Sequence, residues 1–236
     1  MATASASSCP TPANSCAAPP CGATKGRQVS SPNPTRVDPR IAEAAQRLRD
    51  GGVVAFPTET VYGLGADARD EAAVRRIYDL KGRPAHKPLT LHVSDSAMAR
   101  PYARAWPQRA QALTDRFWPG PLTIVLPRSA LASDFVCAGA DGVGLRCPDH
   151  PLTLALIRAL GAPIVGPSAN RSGEPPAASA DEVRAVFDER DVYVLDAGPC
   201  PGRTPSTVLD LTDPQGRERI LRAGALSAEQ LGVRDD

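Results

Sequence analysis

The chain has 236 residues and carries 27 Lys and Arg against 26 Asp and Glu, so its formal net charge is +1. This length is enough for one domain with a well-buried core. The balanced charge argues against a broad surface for nucleic acid, and the 4% aromatic content argues against a base-stacking platform for single strands. Any anion is therefore expected to bind at one local site.

Residues 1–37 differ in composition from the rest of the chain. They are rich in Ala, Ser, Thr and Pro and show no apolar periodicity, which is typical of a segment that stays disordered. We therefore predict a disordered tail over 1–37 and a single domain over 38–236. A cytoplasmic location is expected, with an organellar transit peptide as the alternative because no acidic residue precedes Asp38. No apolar run is long enough to cross a membrane.

The six cysteines do not form a recognisable pattern. No pair has the two-residue spacing of a structural zinc site, so no metal site is predicted. Free thiols in a reducing compartment are expected.

The first third of the predicted domain alternates between helix and strand. Asp38 followed by Pro39 is typical of a helix start, and the glycine pair at 51–52 predicts its end. The apolar run over 53–56 predicts a short buried strand. Residues 57–68 have the composition of a turn-rich loop.

The same alternation continues to the end of the chain. Further helices are predicted to start at Asp70 and to cover 108–117, 151–160 and 179–187, with one short helix at most over 227–231. Further strands are predicted over 89–93, 122–126, 143–146, 163–165, 192–195, 207–211 and 219–221. Interleaved helices and strands indicate the α/β class, with a twisted mixed β-sheet flanked by helices.

The segment 81–89 contains three permanent cations, a histidine and two prolines. Because proline restricts its own backbone and that of the preceding residue, we predict an extended, stiff loop that projects Lys81, Arg83 and Lys87. Such a cluster suits an anion with several oxygens, such as a polyphosphate, and a solvated basic loop is the alternative. His92 lies within the strand that follows, where a satisfied core histidine is the common interpretation.

Other polar clusters follow predicted strands, and the standard P-loop and Rossmann signatures are absent. The cluster at 57–65 offers two hydroxyls, a carboxylate and a phenol beside glycines, at a strand end where α/β sheets commonly bind ligands. Arg146 ends a short strand and could bind a carboxylate through two parallel hydrogen bonds, or pair with Asp149. The cluster at 166–173 could hold a phosphate or a ribose, or cap a turn.

Together these motifs resemble the YrdC/Sua5 family, the threonylcarbamoyl-AMP synthases, over residues 41–226. The family's K-x-R motif is present at 81–83 and its S-x-N motif at 168–170. Further family motifs occur in the family's order at 58–65, 87–89, 118–123, 146–151 and 205–210. The chain departs from the pattern at 221–224, where it has L-R-A-G in place of L-R-P-G. It resembles the short form of the family, which lacks an extra C-terminal domain.

The resemblance implies a nucleotidyltransferase, an L-threonylcarbamoyladenylate synthase. It would form L-threonylcarbamoyl-AMP and pyrophosphate from L-threonine, bicarbonate or CO2, and ATP, with Mg²⁺ arriving on the ATP. The product would pass to a transferase complex that modifies the adenosine next to the anticodon in tRNA, without membrane contact or strong direct nucleic-acid binding. Two alternatives stay open: an RNA-binding or ribosome-assembly module, and an adenylate-hydrolysing paralogue of the same fold.

The resemblance also implies roles for individual residues. The catalytic pair would be Lys81 and Arg83, which would neutralise charge on the α-phosphate and the departing pyrophosphate. The residues that bind ATP would be Arg83, Lys87, Gly142, Ser168, Asn170 and Arg222. The residues that bind threonine would be Thr60, Tyr62, His92, Arg146 and Ser206.

Overall fold

Helices and strands alternate along residues 38–233, the part of the chain that the computed structural model describes. The helices are α1 (Pro39–Arg49), α2 (Glu71–Lys81), α3 (Ser96–Ala99), α4 (Gln108–Phe117), α5 (Asp134–Cys137), α6 (Pro151–Leu160), α7 (Ala180–Val186) and α8 (Ala228–Leu231). The strands are β1 (Val53–Phe56), β2 (Gly63–Asp67), β3 (Thr90–His92), β4 (Leu122–Pro127), β5 (Gly142–Arg146), β6 (Ile164–Val165), β7 (Val192–Val194), β8 (Thr207–Asp210) and β9 (Arg219–Arg222). The tail predicted to be disordered lies outside the described residues.

Within this range the strands form one mixed sheet in the order β7-β1-β2-β6-β3-β5-β4-β8-β9. The pairs β1–β7, β3–β5 and β4–β8 are parallel, and the other neighbouring pairs are antiparallel. A mixed sheet flanked by helices confirms the predicted α/β class.

Alternation along β1 separates two apolar layers, because successive side chains of a strand point to opposite faces. Val54 and Phe56 belong to a layer shared with α1 and α6. Val53 and Ala55 belong to the larger layer, which includes buried side chains of α2, α4, α5 and α7. None of the helices in the described range is both long and apolar enough to cross a membrane.

Side-chain caps fix the starts of three helices where the sequence predicts them. Asp38 and Asp70 each accept a hydrogen bond of 2.9 Å from the backbone N–H two residues ahead. Ser179 Oγ accepts a bond of 3.2 Å from the N–H of Glu182. The Glu182 carboxylate accepts from the N–H of Ala178, at 2.6 Å, where a regular capping box would use the N–H of Ser179. Each cap is worth about 1 kcal/mol.

Strand β2 lies inside the segment 57–68, which was predicted to be a loop throughout. That prediction is wrong because the glycines of β2 serve packing and not a turn. A Cβ atom at Gly63 would lie 2.5 Å from the ring of Phe56, and one at Gly65 would lie 2.7 Å from the same ring. The two glycines therefore make room for the ring of Phe56, while β2 pairs with β1 and β6.

The basic segment begins in a helix and not in a loop. Lys81 is the last residue of α2, and Gly82 ends the helix in the left-handed conformation, with φ 57° and ψ 37°. Lys81 is only 3% exposed because it follows Val74 and Ile77 at helical spacing and shares their buried face. The prediction that Lys81 projects from an extended loop is therefore wrong.

Candidate active site

One face of the sheet carries polar residues and glycines across β3, β5 and β4. The opposite face of these strands carries Leu91, Leu145 and Ile124, each at most 1% exposed. The residues that alternate with these apolar ones along the strands line two adjoining depressions. They are Thr90, His92, Thr123, Gly144 and Arg146. The candidate site therefore lies on a sheet face, whereas the sequence placed it in loops at strand ends.

The smaller depression, here called the buried cavity, has a volume of about 110 Å³. It lies between the β1–β2 loop, the strands β3 to β5 and the segments 166–168 and 205–206. Its polar lining comes from Thr58, Tyr62, Arg83, Thr90, His92, Thr123, Arg146, Ser168, Ser206 and Arg222.

The larger depression, here called the open groove, has a volume of about 530 Å³. It shares Arg83, Thr90, Thr123 and Arg222 with the buried cavity, so the two spaces are neighbours on the same sheet face. Its other lining residues include Lys87, Val125, Asp141, Gly142, Gly144, Val208, Asp210, Thr212 and Leu221.

Arg146 is the buried cation of the cavity, with 5% exposure. Its Nη2 donates to Glu59 Oε1 at 2.6 Å and to Thr60 Oγ1 at 2.9 Å, and its Nε donates to the carbonyl oxygen of Gly120 at 3.4 Å. Within residues 38–233, Nη1 has no hydrogen-bond partner, and the side chain of Asp149 is not the ion-pair partner. The donors of Nη1 are thus left for a ligand, whereas those of Nη2 are committed to the protein.

His92 presents a neutral imidazole to the buried cavity. Its ring packs edge-on against that of Phe56, with 5.3 Å between the ring centroids. Burial and the positive charge of Arg146 hold the pKa of His92 well below its usual value. Its Nδ1 is buried without a hydrogen-bond partner in the described part of the chain, so the interpretation as a satisfied core histidine is wrong. A Cβ atom on Gly166 would collide with this nitrogen.

The loop between β1 and β2 uses its hydroxyls within the protein. The Oγ1 atoms of Thr58 and Thr60 are 2.8 Å apart. The hydroxyl of Tyr62 donates to the carbonyl oxygen of Gly198 at 2.9 Å and accepts from the N–H of Ala197 at 3.2 Å. Burial raises the pKa of Tyr62. Tyr62 therefore lines the cavity with its ring and holds the 197–198 segment with its hydroxyl.

Ser206 and Arg222 connect the buried cavity to the open groove. Arg222 Nη2 donates to the carbonyl oxygen of Ser206 at 2.9 Å and to its Oγ at 3.0 Å. The Oγ of Ser206 is 2.9 Å from Thr123 Oγ1. Removal from water lowers the pKa of Arg222, and the charges of Arg146 and Arg83 lower it further.

Lys81 lies behind the two depressions and lines neither. Its Nζ donates to the carbonyl oxygens of Ser168 and Asn170, at 2.5 Å each, and to Asn170 Oδ1 at 3.3 Å. Burial lowers the pKa of Lys81 to about 8, with a further contribution from Arg83. Asn170 also lies outside both linings, whereas Ser168 lines the cavity. Lys81 thus holds the 168–170 segment from the protein side.

Arg83, Lys87 and Gly142 border the open groove. The guanidinium of Arg83 donates to the carbonyl oxygens of Lys87 at 3.2 Å and of Pro88 at 2.9 Å. Lys87 is exposed, and its ammonium has no ion pair or hydrogen bond with any residue in the described range. A Cβ atom at Gly142 would lie 2.8 Å from Val125 Cγ1, so glycine keeps this part of the groove open.

Two polar partners were not predicted from the sequence. In the sequence Glu59 is one carboxylate within a turn-rich cluster, whereas in the structure it is the ion-pair partner of Arg146. The second partner is Thr123, which contacts Ser206. Its signal was a lone hydroxyl within an apolar strand, at the position that faces the site by alternation.

The fold and these two spaces define a class of protein: an α/β protein whose sheet face carries polar depressions suited to small polar ligands, beside cations suited to anionic groups. No group of three or more His, Cys, Asp or Glu side chains placed to hold a metal ion occurs within residues 38–233.

The Sua5/YciO/YrdC family model, which carries the description "Telomere recombination", matches residues 46–224. The chain belongs to this family, and the resemblance drawn from its motifs is confirmed.

Curated relatives carry the name threonylcarbamoyl-AMP synthase. The relative from Bacillus subtilis is 46% identical over 195 residues, which cover 82% of this chain and 56% of the relative. The relative from Chromohalobacter salexigens is 41% identical over 172 residues, which cover 73% of this chain and 92% of the relative. The chain thus spans about half the length of the Bacillus relative and matches most of the shorter one.

Solved structures share this fold. The crystal structure of Pyrococcus abyssi Sua5 complexed with L-threonine matches with a TM-score of 0.78 and 44% identity, over 81% of this chain and 56% of that one. Escherichia coli YciO matches with a TM-score of 0.72 and 27% identity, over 81% of this chain and 92% of that one. These matches confirm the predicted α/β fold, a mixed sheet flanked by helices.

Proposed function

We propose that this protein is a threonylcarbamoyl-AMP synthase that uses L-threonine, bicarbonate or CO2, and MgATP. One observation carries the proposal. A small buried cavity, lined by the ion-paired Arg146, adjoins a larger groove bordered by Arg83, Lys87 and Arg222. An amino acid and a nucleoside triphosphate would fit there side by side. The names of the relatives support this assignment.

Threonine would occupy the buried cavity. Its carboxylate would accept hydrogen bonds from Nη1 of Arg146, and the neutral imidazole of His92 would contact the polar part of the side chain or the amino group. Thr60 would act through its bond to Arg146, and Ser206 would face the ligand near the groove. Tyr62 would contribute its ring. Selection of threonine over serine by one methyl group is worth about 1–3 kcal/mol, so moderate discrimination is expected.

The reaction joins two anions. The neutral amine of threonine first takes up CO2 on its nitrogen and releases a proton to solvent, or takes up bicarbonate with loss of water, and becomes an N-carboxylate. A carboxylate oxygen then attacks the α-phosphorus of ATP, the bond to the β-phosphate oxygen breaks, and pyrophosphate leaves with that electron pair. Arg83, Lys87 and Arg222 would offset the repulsion and the charge that develops on the leaving group. The remaining rate enhancement would come from positioning the two substrates, and the adenylation step would need no dedicated base.

The nucleotide would lie along the open groove, past the glycine at 142. Ser168 would face it from the cavity side, while Asn170 and Lys81 would hold the 168–170 segment in place from behind. Lys81 is therefore proposed as a support for the nucleotide site and not as a direct phosphate contact. The Mg²⁺ would enter as part of the substrate MgATP.

The product would pass to a tRNA threonylcarbamoyl transferase complex in the cytoplasm. The formal net charge of +1 suits an enzyme that releases a small product and does not clamp tRNA.

The decisive experiment incubates the full chain with MgATP, threonine and bicarbonate, and then omits each in turn from degassed buffer. Pyrophosphate release and the adenylate product are measured by coupled assay and mass spectrometry. We expect both signals to require threonine and bicarbonate. Pyrophosphate release that is unchanged without threonine would overturn the proposal. Breakdown of supplied adenylate without synthesis would indicate the hydrolytic paralogue, and salt-dependent RNA binding without chemistry would indicate the RNA-binding module.

A further inference from the structure

We propose that Glu59 is a positioning residue for the amino-acid substrate: it orients the Arg146 guanidinium so that Nη1 remains available for the substrate carboxylate. This inference rests on the proposed function and deepens it, because it names a residue that would tune threonine affinity without touching threonine.

Glu59 binds two parts of the structure at once. Its Oε1 accepts from Arg146 Nη2 at 2.6 Å, and its Oε2 accepts from the backbone N–H of Asp149 at 3.0 Å. The side chains of Glu59 and Arg146 are 16% and 6% exposed. Glu59 is not part of the lining of the buried cavity. The carboxylate therefore joins the guanidinium to the turn after β5 from outside the ligand space.

The geometry of a guanidinium explains what this bridge does. Arginine has five N–H donors in one rigid plane, so fixing two of its nitrogens fixes the direction of the third. Here Nη2 is fixed by Glu59 and Thr60, and Nε makes only a long bond of 3.4 Å to Gly120. Without the charged partner, Thr60 alone would hold Nη2 closely, and the guanidinium could turn away from the orientation that a carboxylate needs.

The backbone of Glu59 is anchored independently of its side chain. Its carbonyl oxygen accepts from the N–H of Gly202 at 3.1 Å. A Cβ atom at Gly202 would lie 2.7 Å from that oxygen, so the two segments are in close contact. A change confined to the Glu59 side chain should therefore alter the ion pair and leave the loop in place.

The chain offers a matched control ion pair outside both depressions. Arg109 Nε donates to Glu218 Oε1 at 2.6 Å and Arg109 Nη2 donates to Oε2 at 2.9 Å. The variant Glu218→Gln weakens a bond of the same kind without bordering either space. It measures what the loss of such a pair does to folding alone.

The test compares Glu59→Gln, Glu59→Asp and Glu218→Gln by steady-state kinetics and thermal unfolding. For Glu59→Gln we expect the KM for threonine to rise about tenfold, the scale of one charge-assisted hydrogen bond. The kcat and the KM for ATP should stay within about twofold, since the groove is untouched. Glu59→Asp, which keeps the charge, should recover part of the threonine affinity. Glu218→Gln should leave both KM values unchanged.

Three results would overturn the inference. An unchanged KM for threonine in Glu59→Gln would mean that Arg146 needs no such partner. A lower KM would mean that Glu59 competes with the substrate carboxylate. Equal losses for threonine and ATP would mean a general structural role. If Glu59→Gln does not fold, Glu59→Asp provides the test: a rise in the KM for threonine without a rise in the KM for ATP would support the inference, and equal rises would overturn it. Failure of the proposed function would appear separately, as absence of threonine-dependent pyrophosphate release in the unaltered protein.

Discussion

The buried cavity and the open groove hold their cations in different ways. In the cavity, Arg146 has a carboxylate partner, Glu59, at 2.6 Å and a hydroxyl partner at 2.9 Å. In the groove, Arg83 donates only to backbone carbonyls, and the Lys87 ammonium has no partner among residues 38–233. The cavity is thus preorganised for a small ligand, whereas the groove offers charge that an incoming anion would neutralise.

This difference explains how a chain with a formal net charge of +1 can hold a polyanion. Arg83, Lys87 and Arg222 form no ion pair with any carboxylate in the described range, so their charge is concentrated at one place on the sheet face. Glu59 neutralises the charge of Arg146, so Arg146 would orient a bound carboxylate and would add no excess positive charge to the site. Selectivity is therefore expected from the cavity, and rate from the groove.

The strongest test of this contrast is Arg83→Met. Removal of a cation that stabilises developing charge should lower kcat about 100- to 1,000-fold, with a small change in the KM for threonine. The measurement is pyrophosphate release at saturating threonine. Arg190→Met, which removes an 89% exposed arginine outside both depressions, is the control and should keep normal kinetics. A large rise in the KM for threonine in Arg83→Met would mean that Arg83, which borders both spaces, acts mainly in the cavity and not in the groove.

Gly166→Ala tests whether the cavity is packed more tightly than the groove. A Cβ at Gly166 collides with the His92 imidazole, so we expect a loss of about 1–3 kcal/mol in the free energy of unfolding. Threonine binding should weaken as well, because His92 must move. Gly144→Ala is the matched change in the groove, where the nearest atom to a Cβ is 3.5 Å away. Denaturant unfolding should show little change for Gly144→Ala, and equal losses in both variants would refute the contrast.

The burial of Lys81 predicts a pH dependence of stability. Its pKa in the folded protein is lowered from 10.5 to about 8, so between these pH values the unfolded chain binds more protons than the folded one. This group therefore makes the free energy of unfolding rise with pH over that window, by at most about 3 kcal/mol. The full cost of burying the charge is present below pH 8.

Lys81→Met should lack this rise when unfolding is measured by denaturant titration from pH 7.5 to 10. Lys87→Met, with an exposed ammonium, should keep it. The difference between each variant and the unaltered protein removes the contributions of tyrosines and cysteines that titrate in the same range. An identical pH slope in Lys81→Met and the unaltered protein would mean that Lys81 is not held in a desolvated environment.

The smallest expected effect is that of Lys87→Met on nucleotide binding. An exposed cation without a fixed partner contributes on the order of 1 kcal/mol or less, so the KM for ATP should rise about two- to fivefold. Because salt screens exposed charges, this increase should shrink as the ionic strength rises. A salt-independent effect on threonine affinity would place Lys87 in the cavity and not at the groove.

Local signals allowed much of the fold to be predicted. The bounds predicted for α4 and α6, at 108–117 and 151–160, match the structure, because apolar periodicity and a glycine or proline at the end are properties of adjacent residues. Strand β2 was missed because its glycines have the composition of a turn. Only their contact with the Phe56 ring shows that they belong in a sheet.

For the candidate site, too, some features follow from local sequence and others only from the tertiary structure. The sequence by itself determined which motifs are present, the family to which the chain belongs and the candidate ligand-binding residues, since these depend on residue type and order. The tertiary structure decided that Lys81 turns inward, that Glu59 binds Arg146 and that the hydroxyl of Tyr62 is hydrogen-bonded to the 197–198 segment. Each of these contacts joins residues between 87 and 136 positions apart. The partner of a polar group is fixed by which strands become neighbours, and the pairing of distant strands is not encoded in any one stretch of sequence.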